Sequence, residues 1–172
     1  MEAYDTLRLH LRPISNGDQA LYCHLYTNDA LMQHIATPMS LEAAQRSFLS
    51  ACAQQSQDRQ RWIIHERSSH QYIGLVALFA TDDVAEIGVM LVASAHGCGM
   101  ATEAMAAIVD RAFAEGSIRL LWIRQQVSNV PVVSMMQRLG FARLPNGGPD
   151  ATEVRWDLSR ERWLEEIGRA HV

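Results

Sequence analysis

Apolar and polar residues alternate through Leu7-Arg8-Leu9-His10-Leu11-Arg12, the period of a strand with one buried face, and Pro13 closes the run. Residues 16–29 change to helical spacing, with Ala20, Leu21, His24 and Leu25 along one side. Ser40 is a good N-cap and Glu42 suits a first turn, so the spacing predicts a helix from there to about Gln55. Its apolar face would carry Ala44, Phe48, Leu49 and Cys52.

Beyond it the chain turns strand-rich. Trp62-Ile63-Ile64, Tyr72 to Phe79 and Val84 to Val92 are β-branched or aromatic runs, separated by turn-forming Ser68-Ser69 and Asp82-Asp83. They predict consecutive antiparallel strands. From Met100 to Glu115 the period is helical again, through Ala101, Ala104, Met105, Ile108, Val109, Ala112 and Phe113, and Gly116 stops it. A strand from Ile118 to Val127 follows, then a helix from Val130 to Leu139 ended by Gly140. Short strands at Phe141 to Leu144 and Thr152 to Leu158 and a terminal helix at Arg160 to Ile167 complete the order. The fold class is mixed α/β, of the α+β kind, with antiparallel strands first and a strand–helix–strand section after them. No repeat, low-complexity run or Pro/Gly linker divides residues 1–172, which read as a single domain.

Composition narrows the chemistry. All 15 basic residues are arginine. A chain without lysine has no Walker phosphate-loop lysine, no pyridoxal Schiff base and no kinase strand lysine. A net charge of −4 argues against nucleic acid and is compatible with a cationic acceptor. No stretch approaches the roughly 18 apolar residues of a membrane span. The start, Met1-Glu2-Ala3-Tyr4-Asp5, has neither a basic leader nor an apolar run, so no signal peptide is expected. Cys23, Cys52 and Cys98 form no CxxC pair, which points to free thiols in a reducing cytoplasm and to no zinc site.

Candidate chemistry concentrates where the strand ending at Val92 gives way to a helix. Between them lies Ala93-Ser94-Ala95-His96-Gly97-Cys98-Gly99, and Met100-Ala101-Thr102-Glu103 follows. Two glycines let the backbone approach a ligand, and Ala101 keeps the first helical turn open. The helix start adds unpaired N–H groups and the positive end of its dipole. This makes a diphosphate cradle that needs no lysine. A Rossmann fingerprint would want Gly or Ala at Thr102 and an acid roughly 20 residues on, and none stands at Arg119 to Trp122.

The segments Glu86-Ile87-Gly88, His96-Gly97-Cys98-Gly99-Met100-Ala101-Thr102-Glu103-Ala104, and Asn129 followed by Leu139-Gly140-Phe141 together resemble the GNAT superfamily of acetyl-CoA-dependent N-acetyltransferases. They look most like its RimJ/RimL branch of ribosomal-protein N-terminal acetyltransferases. Leu7 to Pro13, and Trp62-Ile63-Ile64 with Tyr72-Ile73-Gly74, are similar to that branch too, so the likeness spans about residues 6 to 158. The resemblance implies a mostly antiparallel central sheet with flanking helices, and acetyl-CoA as cosubstrate with no metal. It implies a primary amine as acceptor: a protein N-terminus, a polyamine or an aminoglycoside.

By the same resemblance, the CoA diphosphate lies on backbone N–H groups of His96, Gly97, Cys98, Gly99, Met100 and Ala101, with Thr102 in the same turn. The pantetheine arm runs along the backbone of Leu91 and Val92, where two parallel strands part, and Asn129 contacts CoA from the other side. Three positions depart from the family pattern. His96 stands where Arg or Gln is usual, Met136 where many relatives have a Tyr that protonates the thiolate, and Val132 at a small or hydroxyl-bearing position.

Direct attack of an amine on the thioester needs a base, an oxyanion partner and an acid for the thiolate. Glu86, among Val84, Ala85, Ile87 and Gly88, is the base candidate, since burial there would raise its pKa. The strand alternation equally allows a solvent-facing acid. The N–H of Leu91 or Val92 is the candidate oxyanion partner, and Ser134 the candidate acid. Cys98 would serve as an acyl-accepting nucleophile only with a base beside it. Met136 and His96 motivate an alternative function, a non-catalytic acyl-CoA-binding module. No motif speaks to oligomeric state.

Overall fold

The computed structural model describes residues 2–144 and 152–170. It opens with β1 (Tyr4–Asp5), two residues too short to show a period, and β2 (Leu9–Pro13). Leu9 and Leu11 are fully buried, as their alternation predicts, whereas Leu7 precedes the strand and is exposed. The expected helix over residues 16–29 is three pieces. A 3-10 turn at Asn16–Asp18 leads into α1 (Gln19–Thr27), and the chain breaks at Asn28, which is extended at ψ 116°. The Asn28 side chain accepts from the Leu31 N–H and so caps a separate α2 (Asp29–Met32).

Ser40 caps α3 (Leu41–Ala53), accepting from the Ala43 N–H at 3.2 Å. One residue of the expected apolar face is misplaced: Ala44, Phe48 and Ala51 are buried, whereas Leu49 is 62% exposed. Leu49 lies about 100° round the helix from Phe48, beyond the edge of the buried stripe. The strands β3 (Arg59–Glu66), β4 (Gln71–Thr81) and β5 (Val84–Leu91) form the expected antiparallel meander. Then come α4 (Met100–Ala114), β6 (Leu120–Gln126), α5 (Val130–Arg138), β7 (Ala142–Arg143), β8 (Glu153–Ser159) and α6 (Arg160–Ala170).

Among the described residues eight strands join one sheet in the order β1-β2-β3-β4-β5-β6-β8-β7. Its pairs are antiparallel except β5–β6, which is parallel because α4 carries the chain back across the sheet. The main core lies on the α4 side, where Leu9, Trp62, Val76, Ile87 and Leu121 meet Met105, Ile108 and Phe113. A smaller core on the other side packs Ile63 and Leu75 against Tyr22 and Leu25 of α1 and Phe48 of α3. Over β6 and β8 this second face carries Trp122, Arg124, Arg155 and Asp157, none of them buried. Among the described residues no helix is long and apolar enough to cross a membrane.

Candidate active site

The parallel pair opens. β5 and β6 are joined at Val84↔Leu120, Ala85↔Leu121 and Glu86↔Trp122, and at no later position. Past that point β5 stays with β4 as far as Gly74↔Leu91, and β6 stays with β8 as far as Gln126↔Glu153. The result is a seam between β5 and β6, with strand edges whose backbone groups lack a strand partner. Strand alternation decides which groups face it. The Val92 N–H donates to the Ile73 carbonyl at 2.8 Å, so it points toward β4. Of the two candidate N–H groups this leaves that of Leu91, and Val92 is withdrawn as an oxyanion donor. The Leu91 carbonyl accepts from His96 Nε2 at 3.0 Å. Gly74 holds the far wall close: a Cβ there would lie 2.2 Å from the Met90 carbonyl oxygen.

At the end of β5 a 3-10 turn, Ala93–Ala95, leads into the glycine loop. Gly97 and Gly99 sit at φ 75° and 76°, left-handed values that favour glycine. Nothing lies within 4 Å of a Cβ built on Gly97. The first helical N–H to close a backbone bond is that of Glu103, to the Gly99 carbonyl at 3.1 Å. Among the described residues, the N–H groups from Gly97 to Thr102 have no backbone acceptor. Gly97 to Thr102 therefore form a run of free donors at the positive end of α4, whereas the His96 N–H, expected among them, is taken by the Ala93 carbonyl at 3.2 Å.

A polar clamp missed from the sequence holds this loop to the sheet. Arg8 Nη1 donates to the Cys98 carbonyl at 2.8 Å, and Arg8 Nε to Glu103 Oε2 at 2.6 Å. The Arg8 N–H (2.8 Å) and Thr6 Oγ1 (2.6 Å) both donate to Glu103 Oε1. Burial alone would raise the Glu103 carboxyl, but the bonds from Thr6 and Arg8 outweigh it and hold it below the usual carboxylate range. The signal for Glu103 was an acid in a helix's first turn. Nothing local pointed to Arg8 or Thr6, which lie more than ninety residues away.

On the other face, Glu86 stands at the vertex where the seam begins. It is half-buried and makes no hydrogen bond or ion pair within the described residues. Beside it on the same face, Gly88 has nothing within 4 Å of a built Cβ, so the space above β5 is open. Trp122, in register with both Glu86 and Asp157, lies under the Arg124 and Arg155 guanidiniums at 5.3 and 4.8 Å. Asp157 is already held by Arg155 at 2.6 Å.

The remaining candidates fall as follows. Asn129 is the N-cap of α5, half-buried, with no capping bond from its side chain. Next to it, Ser128 meets His34 at 3.0 Å, tying the segment after α2 to this side of the seam. Met136 is fully buried, while Ser134 is exposed on the opposite side of α5, away from the core. Cys98 is exposed, and its thiol contacts the His96 carbonyl, not the imidazole. Among the described residues no group of three or more His, Cys, Asp or Glu is arranged to hold a metal. A separate hollow of about 930 Å³, between the start of β3 and the C-terminal end of α4, touches none of these residues.

The acetyltransferase (GNAT) domain family matches residues 8–142, from β2 through the glycine loop to β7. The chain belongs to the GNAT acetyltransferase family. Among solved GNAT structures, it is similar to an acetyltransferase from Bacillus anthracis at 16% identity and a TM-score of 0.79, covering 92% of this chain and 99% of that one. It is similar to spermidine N-acetyltransferase from Vibrio cholerae, solved with CoA and spermine, at 18% identity and 0.77, covering 92% and 99%. RimL, the ribosomal L7/L12 alpha-N-protein acetyltransferase solved with coenzyme A, stands at 20% identity and 0.77, covering 92% and 98%. At such identities the likeness is one of fold. A search of curated proteins gives no match to this chain.

Proposed function

We propose that this GNAT protein transfers the acetyl group of acetyl-CoA directly to a primary amine, both substrates being bound at once. The observation that carries the reading is the seam. It connects the donor-rich glycine loop on one side of the sheet with the free carboxylate of Glu86 on the other. A diphosphate suits the loop, because N–H groups and a helix dipole neutralise it without lysine. The extended arm of the same molecule suits the seam, where its amides find strand-edge partners.

Glu86 takes a proton from the incoming ammonium, directly or through water, and the neutral amine attacks the thioester carbonyl carbon. The Leu91 N–H donates to the oxyanion that forms, a role the Val92 N–H cannot take because it is bonded to the Ile73 carbonyl. Collapse of the tetrahedral species breaks the C–S bond and expels CoA as thiolate, and the second proton of the amine nitrogen passes to water or to that thiolate, leaving the neutral amide. Met136 has no proton to give and Ser134 faces solvent, so no side chain is assigned as the acid. A thiol of ordinary pKa, about 8.5, leaves as thiolate without one.

The acceptor is a cation before it reacts, which fits an uncompensated carboxylate beside open space. A protein N-terminus, a polyamine and an aminoglycoside all present such an amine. Thiol release from acetyl-CoA over a panel of these amines tests the reading. Glu86→Gln should lower kcat by about 10²-fold or more while CoA still binds. CoA binding with no turnover on any amine would instead support a binding module.

A further inference from the structure

β6 turns Leu121, Ile123 and Gln125 toward the α4 side of the sheet, and Trp122 and Arg124 toward the other. The first two belong in an apolar core. Gln125 does not, yet it is 7% exposed, and its Oε1 is buried without a hydrogen-bond partner among the described residues. No bond from its Nε2 is formed within the described residues either. An orphaned amide in a core lowers stability, and an aliphatic residue of similar size would remove the loss.

Its place suggests why it is kept. β6 leaves β5 after Trp122, so Gln125 stands three residues into the open seam, on the side that also carries the glycine loop. Trp62 Nε1, on β3 and remote from the seam, is another buried orphan on this face, and so is Trp156 Nε1. Trp156 belongs to β8, one strand further from the seam, and its side chain and that of Gln125 do not bond each other.

We propose that Gln125 is a positioning residue for acyl-CoA: its Oε1 accepts an amide N–H of the pantetheine arm. The assignment rests on the function proposed above and deepens it. An orphan acceptor calls for a donor. The diphosphate of CoA offers none, whereas the arm carries amide N–H groups and is the part that fits a seam between strands. Gln125 then faces the arm from β6 while the β5 edge faces it at Leu91, which fixes how far the thioester travels toward Glu86.

The test compares two ligands by calorimetry: CoA, and adenosine 3′-phosphate 5′-diphosphate, which is CoA without the arm. Gln125→Leu should weaken CoA about five- to tenfold, the worth of one hydrogen bond, and leave the nucleotide fragment unchanged. It should also raise the melting temperature of the ligand-free protein, since the orphan is gone. Gln125→Val gives the same reading if leucine is not accommodated. Trp156→Phe, the control, should leave the ratio of the two affinities as it is. An unchanged ratio in Gln125→Leu and Gln125→Val, or an equal loss for both ligands, would overturn the assignment. So would a CoA-specific loss in Trp156→Phe, which would make the pair structural. If the unsubstituted protein binds neither ligand, the acetyl-CoA reading itself fails and this assignment with it.

Discussion

Gly99 holds the turn into α4 at φ 76°, where an L side chain is strained by about 1–2 kcal/mol. Gly74 is required for a different reason: a Cβ there would lie 2.2 Å from the Met90 carbonyl oxygen, so only glycine lets β4 lie this close to β5. One glycine thus shapes the cradle and the other its wall. A Gly99→Val substitution should leave a folded protein with a slightly lower melting temperature and abolish CoA binding in calorimetry. Retained affinity would refute the cradle. His96 shows the limit of reading one residue at a time: its place in the loop was legible, but its ring bonds the Leu91 carbonyl, on the edge of β5 that faces the seam. Ser134 was a candidate by chemistry alone, and its exposed side of α5 gives it nothing to protonate.

At the scale of elements, α4 matters through its N-terminus, and the carboxylate of Glu103 joins that terminus to β2. Its folded pKa lies below the ordinary value. The stabilisation is therefore complete above the unfolded pKa, about 4.3, and is lost as pH falls through that value toward the folded one. Melting curves between neutral and acid pH should show Glu103→Gln destabilised by about 1–3 kcal/mol at pH 7. The gap to the unsubstituted protein should narrow below about pH 4. Parallel curves at every pH would mean that the carboxylate charge does not hold the clamp. Helices and the longer strands were legible because their apolar period is local, and α3, α4 and α5 start at Leu41, Met100 and Val130 as spacing predicted. The break at Asn28 was not, since an Asx cap competes with helix only once the flanking turns are placed.

For the whole molecule, the absence of lysine and the GNAT architecture bear on each other. The proposed cradle relies on backbone N–H groups, which are left without backbone acceptors from Gly97 to Thr102, so a chain without lysine can still offer an anion site. Such a protein also has no lysine to acylate by accident. Intact mass after incubation with acetyl-CoA should show no adduct beyond the N-terminus or a cysteine, and additional acetyl groups would contradict this. By itself the sequence determined the element order, the glycine loop and the family, because periodicity, caps and turn residues act over a few positions. Tertiary structure decided the rest. Only pairing across the sheet shows that β5 leaves β6 after Glu86, that Val92 is tied to Ile73, and that Arg8 clamps a loop ninety residues downstream. It also decided that Gln125 is buried with an acceptor to spare. Hydrogen bonds between strands join residues remote in sequence, and which of a strand's two edges stays open depends on neighbours that no local pattern names.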